Sequence, residues 1–491
     1  MRAAAALALA LLAAGCLSSG PSAPASVGAG APGPGGWTLD CAQGAYSRAI
    51  NASWDQACEA RASHNPGPKE ETWIAINPTD PDNVVVGAKD LDPSSSDHCV
   101  WNGVFVTHDG GKTWKDVVIG GKFADRKPDS PFYGYACNTD PDFQFTKDGA
   151  LHYGVEMYQP EGIALPDGPV IPAPAPGAAT QGFKILLATS HDGGDTWPDV
   201  ITFQPDLGFT SDYSRMVVSP TTGTILEAIG SDGGAGCHVL RSTDGGKSAD
   251  FRPVATKDGV PCGSSGDTAI AVSPNGVVVI VGGIGTAAAT GNVRVVARST
   301  DDGATWTDSN AGFAYRDIPA FKESQYRVGS NFELAYDLTD GPHKGTLYVA
   351  YASADRDEAD VYVRSSTDDG RTWSPPVLVN DDASGPHQWM PNVAVAGDGS
   401  VHVFYMDKRH DPNHKLIDMT HAVSLDGGKT WTNERVSTVP YDGDLGRHQD
   451  GYAFIGDYLG VACSKADCWA GFPDASDGAT TVVAAAHVHK A

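Results

Sequence analysis

One octamer recurs six times along this chain and restricts how it can fold more than any other feature. It has the form S/T-x-D-x-G-x-T/S-W and reads THDGGKTW from Thr107, SHDGGDTW from Ser190, STDGGKSA from Ser242, STDDGATW from Ser299, STDDGRTW from Ser366 and SLDGGKTW from Ser424. An apolar run precedes each copy (GVFV, FKILLA, CHVL, VRVVA, VYVR, THAV), and a second short strand-like stretch follows. These residue types describe a β-hairpin turn: the Asp accepts hydrogen bonds from turn N–H groups, the Gly takes up positive φ, and the Trp closes onto the flanking strands. A single octamer would be a weak signal, but six at spacings of 52 to 83 residues describe one supersecondary unit used repeatedly.

A second unit opens each repeat: TWIAINP from Thr72, DPDFQFTKDG from Asp140, DYSRMVVSP from Asp212, DTAIAVSPNG from Asp267, NFELAYD from Asn331, QWMPNVAVAGDG from Gln388 and DYLGVACS from Asp457. That makes seven units for six octamers. The seventh continues with strands at DCWAGF from Asp467 and TTVVAAAHV from Thr480, then stops with no octamer and no fourth strand. With 58 Gly and 33 Pro and little helical periodicity, the expectation is an all-β chain of short strands and turns. The fold expected is a single β-propeller over residues 37–491, made of four-stranded antiparallel blades. Seven blades are expected, the last closed by a strand drawn from residues 37–66, because closure removes the exposed edge. Six blades with one unit outside the ring is the alternative.

The octamer resembles the Asp-box of the sialidase-like (BNR-repeat) propellers, and the resemblance runs over roughly residues 70–490. It implies that Asp109, Asp192, Asp244, Asp301, Asp368 and Asp426 are folding elements distant from any ligand. The third copy departs from the pattern, with Ala249 in the Trp slot and Phe251 as the candidate to fill it. The resemblance also raises sialidase activity, which in that family uses three arginines for the substrate carboxylate, a Tyr/Glu couple and an acid/base Asp. The family's N-terminal Arg-Ile-Pro element is absent, and the equivalent strand here reads EETWIAINP. Arg215, Arg327, Arg409 and Arg447 are placed to reach the axis, but none stands in a recognisable sialidase context. Ancestry does not transfer chemistry, so whether the chain is an enzyme stays open.

In a propeller blade the octamers mark one face, and the openings of the innermost strands mark the other, around the axis. The residues expected at that axial pocket are Glu71 (with Glu70), Asp140, Asp212, Arg215, Asp267, Asn331, Gln388, Asp457 and Arg409. Carboxylates ringed at a channel mouth suit a hard cation such as Ca²⁺ or a polar ligand, and they equally suit local capping of each loop. Trp73, Tyr213, Trp389 and Tyr458 beside the ring are either sugar-stacking platforms or inner-strand core. The function expected is binding or processing of glycans at this pocket. The alternatives are a non-catalytic protein-interaction scaffold and a metal-dependent lyase or hydrolase.

The N-terminus carries an address. Arg2, the apolar run Ala3–Ala14 and LAAGC ending at Cys16 read as a signal peptide (1–15) and a lipobox-like site with lipidation on Cys16, followed by a Ser/Pro/Gly/Ala tether to residue 36 expected to be disordered. The protein is thus expected on the extracytoplasmic side of the cell membrane, in contact with it only through the anchor. Eight further cysteines form near neighbours in that oxidising setting: Cys41/Cys58, Cys99/Cys137, Cys237/Cys262 and Cys463/Cys468. A formal charge of −26 argues against nucleic acid as a partner. A carbohydrate or protein ligand and a monomer are expected.

Overall fold

The computed structural model describes residues 34–39, 59–91, 100–158, 184–203, 211–231, 237–255, 268–288, 291–447 and 451–490, apart from positions 66, 122–126, 128, 134, 136, 307, 384, 438, 477 and 479. Outside them fall Cys16 and the leader, Cys41, Cys58, Cys99, Cys262, Asp267 and the Pro-rich segment 159–181. Asp212 and Tyr213 are described only in their backbone.

Seven antiparallel sheets account for nearly all the regular structure. Blade 1 runs Lys69–Ile76, Val84–Asp90, Gly103–Thr107 and Lys115–Val117, and blades 2 to 6 repeat the same up-and-down order. Their innermost strands are Cys137–Phe145, Ser211–Val218, Thr268–Val272, Phe332–Tyr336 and Gln388–Val395. The innermost strand of blade 7, Gly460–Cys463, contacts both that of blade 6 and that of blade 1, so the ring closes at seven. Among the described residues no helix is long and apolar enough to cross a membrane.

Closure is made by the N-terminus. The third strand of blade 7, Val482–Lys490, would expose an edge, but Trp37–Leu39 pairs with Lys490 to Val488 and Glu59–Arg61 pairs with Ala486 to Ala484 along it. Two short strands thus share the fourth position. Trp37 is buried, packs edge-on against His402 at 4.4 Å and donates from Nε1 to Asp398 at 3.3 Å, which fastens the N-terminus to blade 6. The Cys463–Cys468 disulfide forms across the first hairpin of blade 7. Cys137 and Cys237 are also disulfide-bonded, to cysteines outside the described residues.

All six octamers adopt one geometry. In the first, Asp109 accepts from the Thr113 N–H (2.8 Å) and both threonine hydroxyls, Gly111 N–H donates to Thr107 Oγ1 (3.0 Å), and Trp114 Nε1 donates to the Gly111 carbonyl (3.1 Å). The turn needs positive φ at Gly110 and Gly111 (67° and 85°). These bonds hold the box carboxylates low, that of Asp244 at about 2, with the Ser248 hydroxyl contributing most. Each box Trp wedges between its own blade and the preceding one, as Trp114 does against Trp469 of blade 7. In the third copy Ala249 leaves the wedge vacant, and Phe251 packs on the same seam between blades 2 and 3. Replacing Asp109 by alanine is expected to lower stability by about 1–2 kcal/mol, since it strands turn N–H groups but leaves the wedge in place. Urea unfolding measures this, and any ligand binding at the far face should be unchanged.

Candidate functional site

The innermost strands run from the axial mouth toward the Asp-box face, and four of them are interrupted near their start. Register shifts fall between Glu70 and Trp73, between Thr139 and Asp142, between Asp212 and Ser214, and between Trp389 and Asn392. The bulged residues Glu71, Asp140 and Met390 all have left-handed backbone, with φ of 50°, 53° and 53°. Non-glycine residues are held there only when the surroundings compel it. In blade 6 the bulge carries apolar Met390, packed in the core, so the bulge belongs to the fold. In blades 1 and 2 it brings two carboxylates to one cation: Lys89 Nζ bonds to Glu71 Oε2 and lies 3.4 Å from Asp140 Oδ1. The Tyr458 hydroxyl donates to Asp140 Oδ1 at 3.0 Å.

Electrostatics in this group follow from burial. Loss of water pushes the Glu71 carboxyl well above its usual range; Lys89 opposes that, and Asp140 and Asp457 add to it. Burial works against the Lys89 charge, yet Asp140, Glu71 and Glu70 outweigh it and hold the ammonium firmly protonated. Burial also raises the Tyr458 phenol, assisted by Asp140 and Glu71, so it is a hydrogen-bond donor and not a ready nucleophile. At the rim Arg327 clasps Asp457, from Nε to Oδ1 at 2.9 Å and from Nη2 to Oδ2, and its Cζ lies 4.5 Å from the Phe454 ring. Tyr452, 44% exposed, stands 6.2 Å from Phe454 on the same connection.

A second layer closes the axis. Arg215 of blade 3 donates to Glu333 of blade 5 from Nε (3.1 Å) and Nη2 (2.9 Å), and from Nη1 to the Ser214 carbonyl (2.7 Å). Its guanidinium lies over the rings of Trp73 (4.3 Å) and Tyr458 (4.0 Å), contributed by blade 1 and the entry to blade 7. Four blades therefore meet on one side chain. At the Asp-box end the axis widens into a cavity of about 390 Å³ lined by Trp73, Ile76, Phe145, Val218 and Leu338 together with Lys147 and Ser219, a mixed lining in place of the charged mouth.

Of the residues expected at the pocket, Glu71, Asp140, Arg215 and Asp457 belong to this connected group. Asn331 is buried and donates to the Pro391 carbonyl, joining blades 5 and 6. Gln388 and Arg409 find their partners elsewhere. The Gln388 amide accepts from Asn380 (3.0 Å) and donates to Asp407 (3.1 Å), and Arg409 bonds Asp407, Asp381 and the Tyr405 hydroxyl (2.8 Å). Both are spent at the junction of blades 5 and 6, because the carboxylates there are nearer than the axis. Trp73, Tyr458 and Trp389 are buried and serve as core, not as stacking platforms. The sequence reading passed over Lys89, Glu333, Tyr452 and Phe454. A lone charge closing an apolar strand (VVVGAKD) and one inside an innermost strand (NFELAYD) were the available signals for the first two.

The place between Glu71 and Asp140 is taken by the Lys89 ammonium. Among the described residues, His402, Cys463 and Cys468 are the three ligand-type side chains in mutual reach, and the two sulfurs are tied in a disulfide.

Comparison with known proteins agrees with the repeat geometry. A family model described as BNR repeat-like domain matches residues 345–448, and one described as BNR/Asp-box repeat matches residues 105–116. No curated protein matches in sequence. Similar solved structures include a protein of unknown function from Dyadobacter fermentans DSM 18053 (14% identity, TM-score 0.43, covering 88% of this chain and 98% of that one). A Hadza microbial sialidase, Hz136, is similar at 14% identity and TM-score 0.42, over 86% of this chain and 66% of its own. The intramolecular trans-sialidase from Ruminococcus gnavus is similar at 11% identity and TM-score 0.39, over 88% and 96%. Seven closed blades and six hydrogen-bonded Asp-box turns make this chain a seven-bladed β-propeller, with similarity to BNR/Asp-box repeats over residues 345–448 and 105–116.

Proposed function

We propose that this protein is an exported, lipid-anchored propeller that binds or processes glycans at its axial mouth, with a preference for uncharged sugars over sialosides. The observation that carries the reading is the convergence of Glu71, Asp140 and Asp457 with Lys89 and Arg327 beside the exposed ring of Tyr452. Neighbouring carboxylates in unequal surroundings divide into a proton-holding and a proton-accepting partner, which is the pairing glycoside chemistry uses. An exposed aromatic ring beside polar groups is what a sugar face requires. The preference for neutral glycans follows from the arginines. Arg215 and Arg327 already have carboxylate partners, so a sialic-acid carboxylate would have to displace one of them against the remaining acidic charge.

The test is a panel of neutral and sialylated oligosaccharides, read by calorimetry for binding and by chromatography for released sugar. Binding of neutral glycans that falls about tenfold in Tyr452→Ala, with any turnover abolished in Glu71→Gln, is the expected outcome. Tight binding of sialosides alone, or no binding across the panel, overturns the reading. The second reading, a protein-interaction scaffold, draws support from the Arg215–Glu333 plug, which spans the axis between blades 3 and 5. Under that reading Tyr452→Ala would leave all sugar measurements flat.

A further inference from the structure

The third strand of each of the first six blades ends on the Ser or Thr that opens an Asp-box: Thr107, Ser190, Ser242, Ser299, Ser366 and Ser424. Third strands therefore run toward the Asp-box face. In blade 7 that strand is Val482–Lys490, and its last residue, Lys490, pairs with Trp37, the first residue of the N-terminal strand. The chain thus enters the propeller at the Asp-box face. Its immediate surroundings agree. A Cβ on Gly35 would lie 2.9 Å from Leu425, inside the sixth Asp-box, and Trp37 donates to Asp398 in the adjoining first hairpin turn of blade 6. Asp398 also binds Lys490 Nζ at 2.6 Å, so the entry point is fastened from both termini.

From this we infer that the propeller is held with its Asp-box face toward the bilayer and its axial mouth directed away from it. The inference rests on the lipid-anchor reading of Cys16. Seventeen residues lie between Cys16 and Pro34. At most about 3.3–3.6 Å per residue, they span no more than roughly 60 Å. An eight-residue innermost strand such as Lys69–Ile76 is about 26 Å long at ~3.3 Å per residue. Presenting the mouth to the bilayer would require the tether to traverse that depth along the rim first, using nearly half its reach. Charge does not compete with this geometry, since a net −26 gives no attraction to an anionic surface. The consequence concerns ligand supply: the mouth meets glycans from the surrounding medium or wall and not the headgroups of its own membrane. The cavity at the other end of the axis faces the lipid side.

The experiment uses the full-length lipidated protein in vesicles carrying a headgroup-labelled acceptor lipid. Donor dyes are placed at Lys112→Cys and Lys429→Cys on the Asp-box face and at Lys322→Cys on the mouth face, all exposed positions. Energy transfer is expected to be strong from Lys112→Cys and Lys429→Cys and distinctly weaker from Lys322→Cys, by a distance of about 25 Å. Equal or stronger transfer from Lys322→Cys in a protein shown by mass spectrometry to carry lipid overturns the orientation alone. Absence of lipid on Cys16, or flotation with vesicles that persists in Cys16→Ser, overturns the anchor and the orientation with it.

Discussion

Arg215→Ala is expected to cost about 3–5 kcal/mol of stability, more than any other single substitution at the axis. Arg215 is 2% exposed and pairs with Glu333, which is 3% exposed, so truncation leaves a carboxylate buried with its main cation gone. The same change removes the guanidinium from the faces of Trp73 and Tyr458, a contact of blades 1, 3 and 7 that water cannot replace. It also withdraws the charge that opposes the burial-driven rise of the Asp142 carboxyl. Urea unfolding followed by tryptophan fluorescence provides the measurement. The double variant Arg215→Met with Glu333→Gln separates the causes, because it fills the space without an unpaired charge and should recover much of the loss. If Arg215→Ala unfolds at the wild-type midpoint, the plug does not hold the blades together.

The second large effect is a pH dependence set by Glu227. This residue lies on the second strand of blade 3, fully buried, with neither carboxyl oxygen in hydrogen-bond geometry. It packs against the bare backbone of Gly154 in blade 2, where a Cβ would come within 2.5 Å of Oε1. Burial pushes its carboxyl up to about 8, and the nearby Ser214 hydroxyl opposes this only in part. The folded state therefore holds a proton that the unfolded chain releases. The stability this contributes is complete below the unfolded value of about 4.5 and is lost as pH rises through about 8. A displacement of that size corresponds to roughly 5 kcal/mol at its limit. Wild-type protein is expected to weaken steadily from pH 5 to pH 9, while Glu227→Gln gives a much flatter profile and is the more stable of the two at pH 9. Parallel profiles for the two proteins would show that the carboxyl is not the source.

Histidines act in the opposite direction at acid pH. Burial holds His152 down to about 4 and His402 well below its ordinary value, the latter assisted by His421 2.8 Å away. Depressed histidines add stability that is complete above their unfolded value and is lost as pH falls through the folded one. Because His402 also packs against Trp37, acid should loosen the ring where the N-terminus closes it.

What could be read from the residues alone was whatever local chemistry dictates. Turn geometry requires Asp, Gly and a closing Trp within eight positions, so six octamers specify six hairpins whatever their surroundings. The seventh unit, lacking its fourth strand, implied a donor from the N-terminus, because an unpaired edge is unfavourable for any sheet. The convergence of side chains from blades 1, 2, 3, 5 and 7 was decided only by the closed ring. Innermost strands are covered on both faces, so they carry no alternation to show which way a residue points, and Glu71 and Asp140 reach Lys89 through bulges that no local pattern announces. Gln388 opens an innermost strand and Arg409 stands in the loop after the second strand of blade 6, and nearby carboxylates at the junction of blades 5 and 6 capture both. A buried charge takes the closest opposite charge, and only the folded chain determines which one that is.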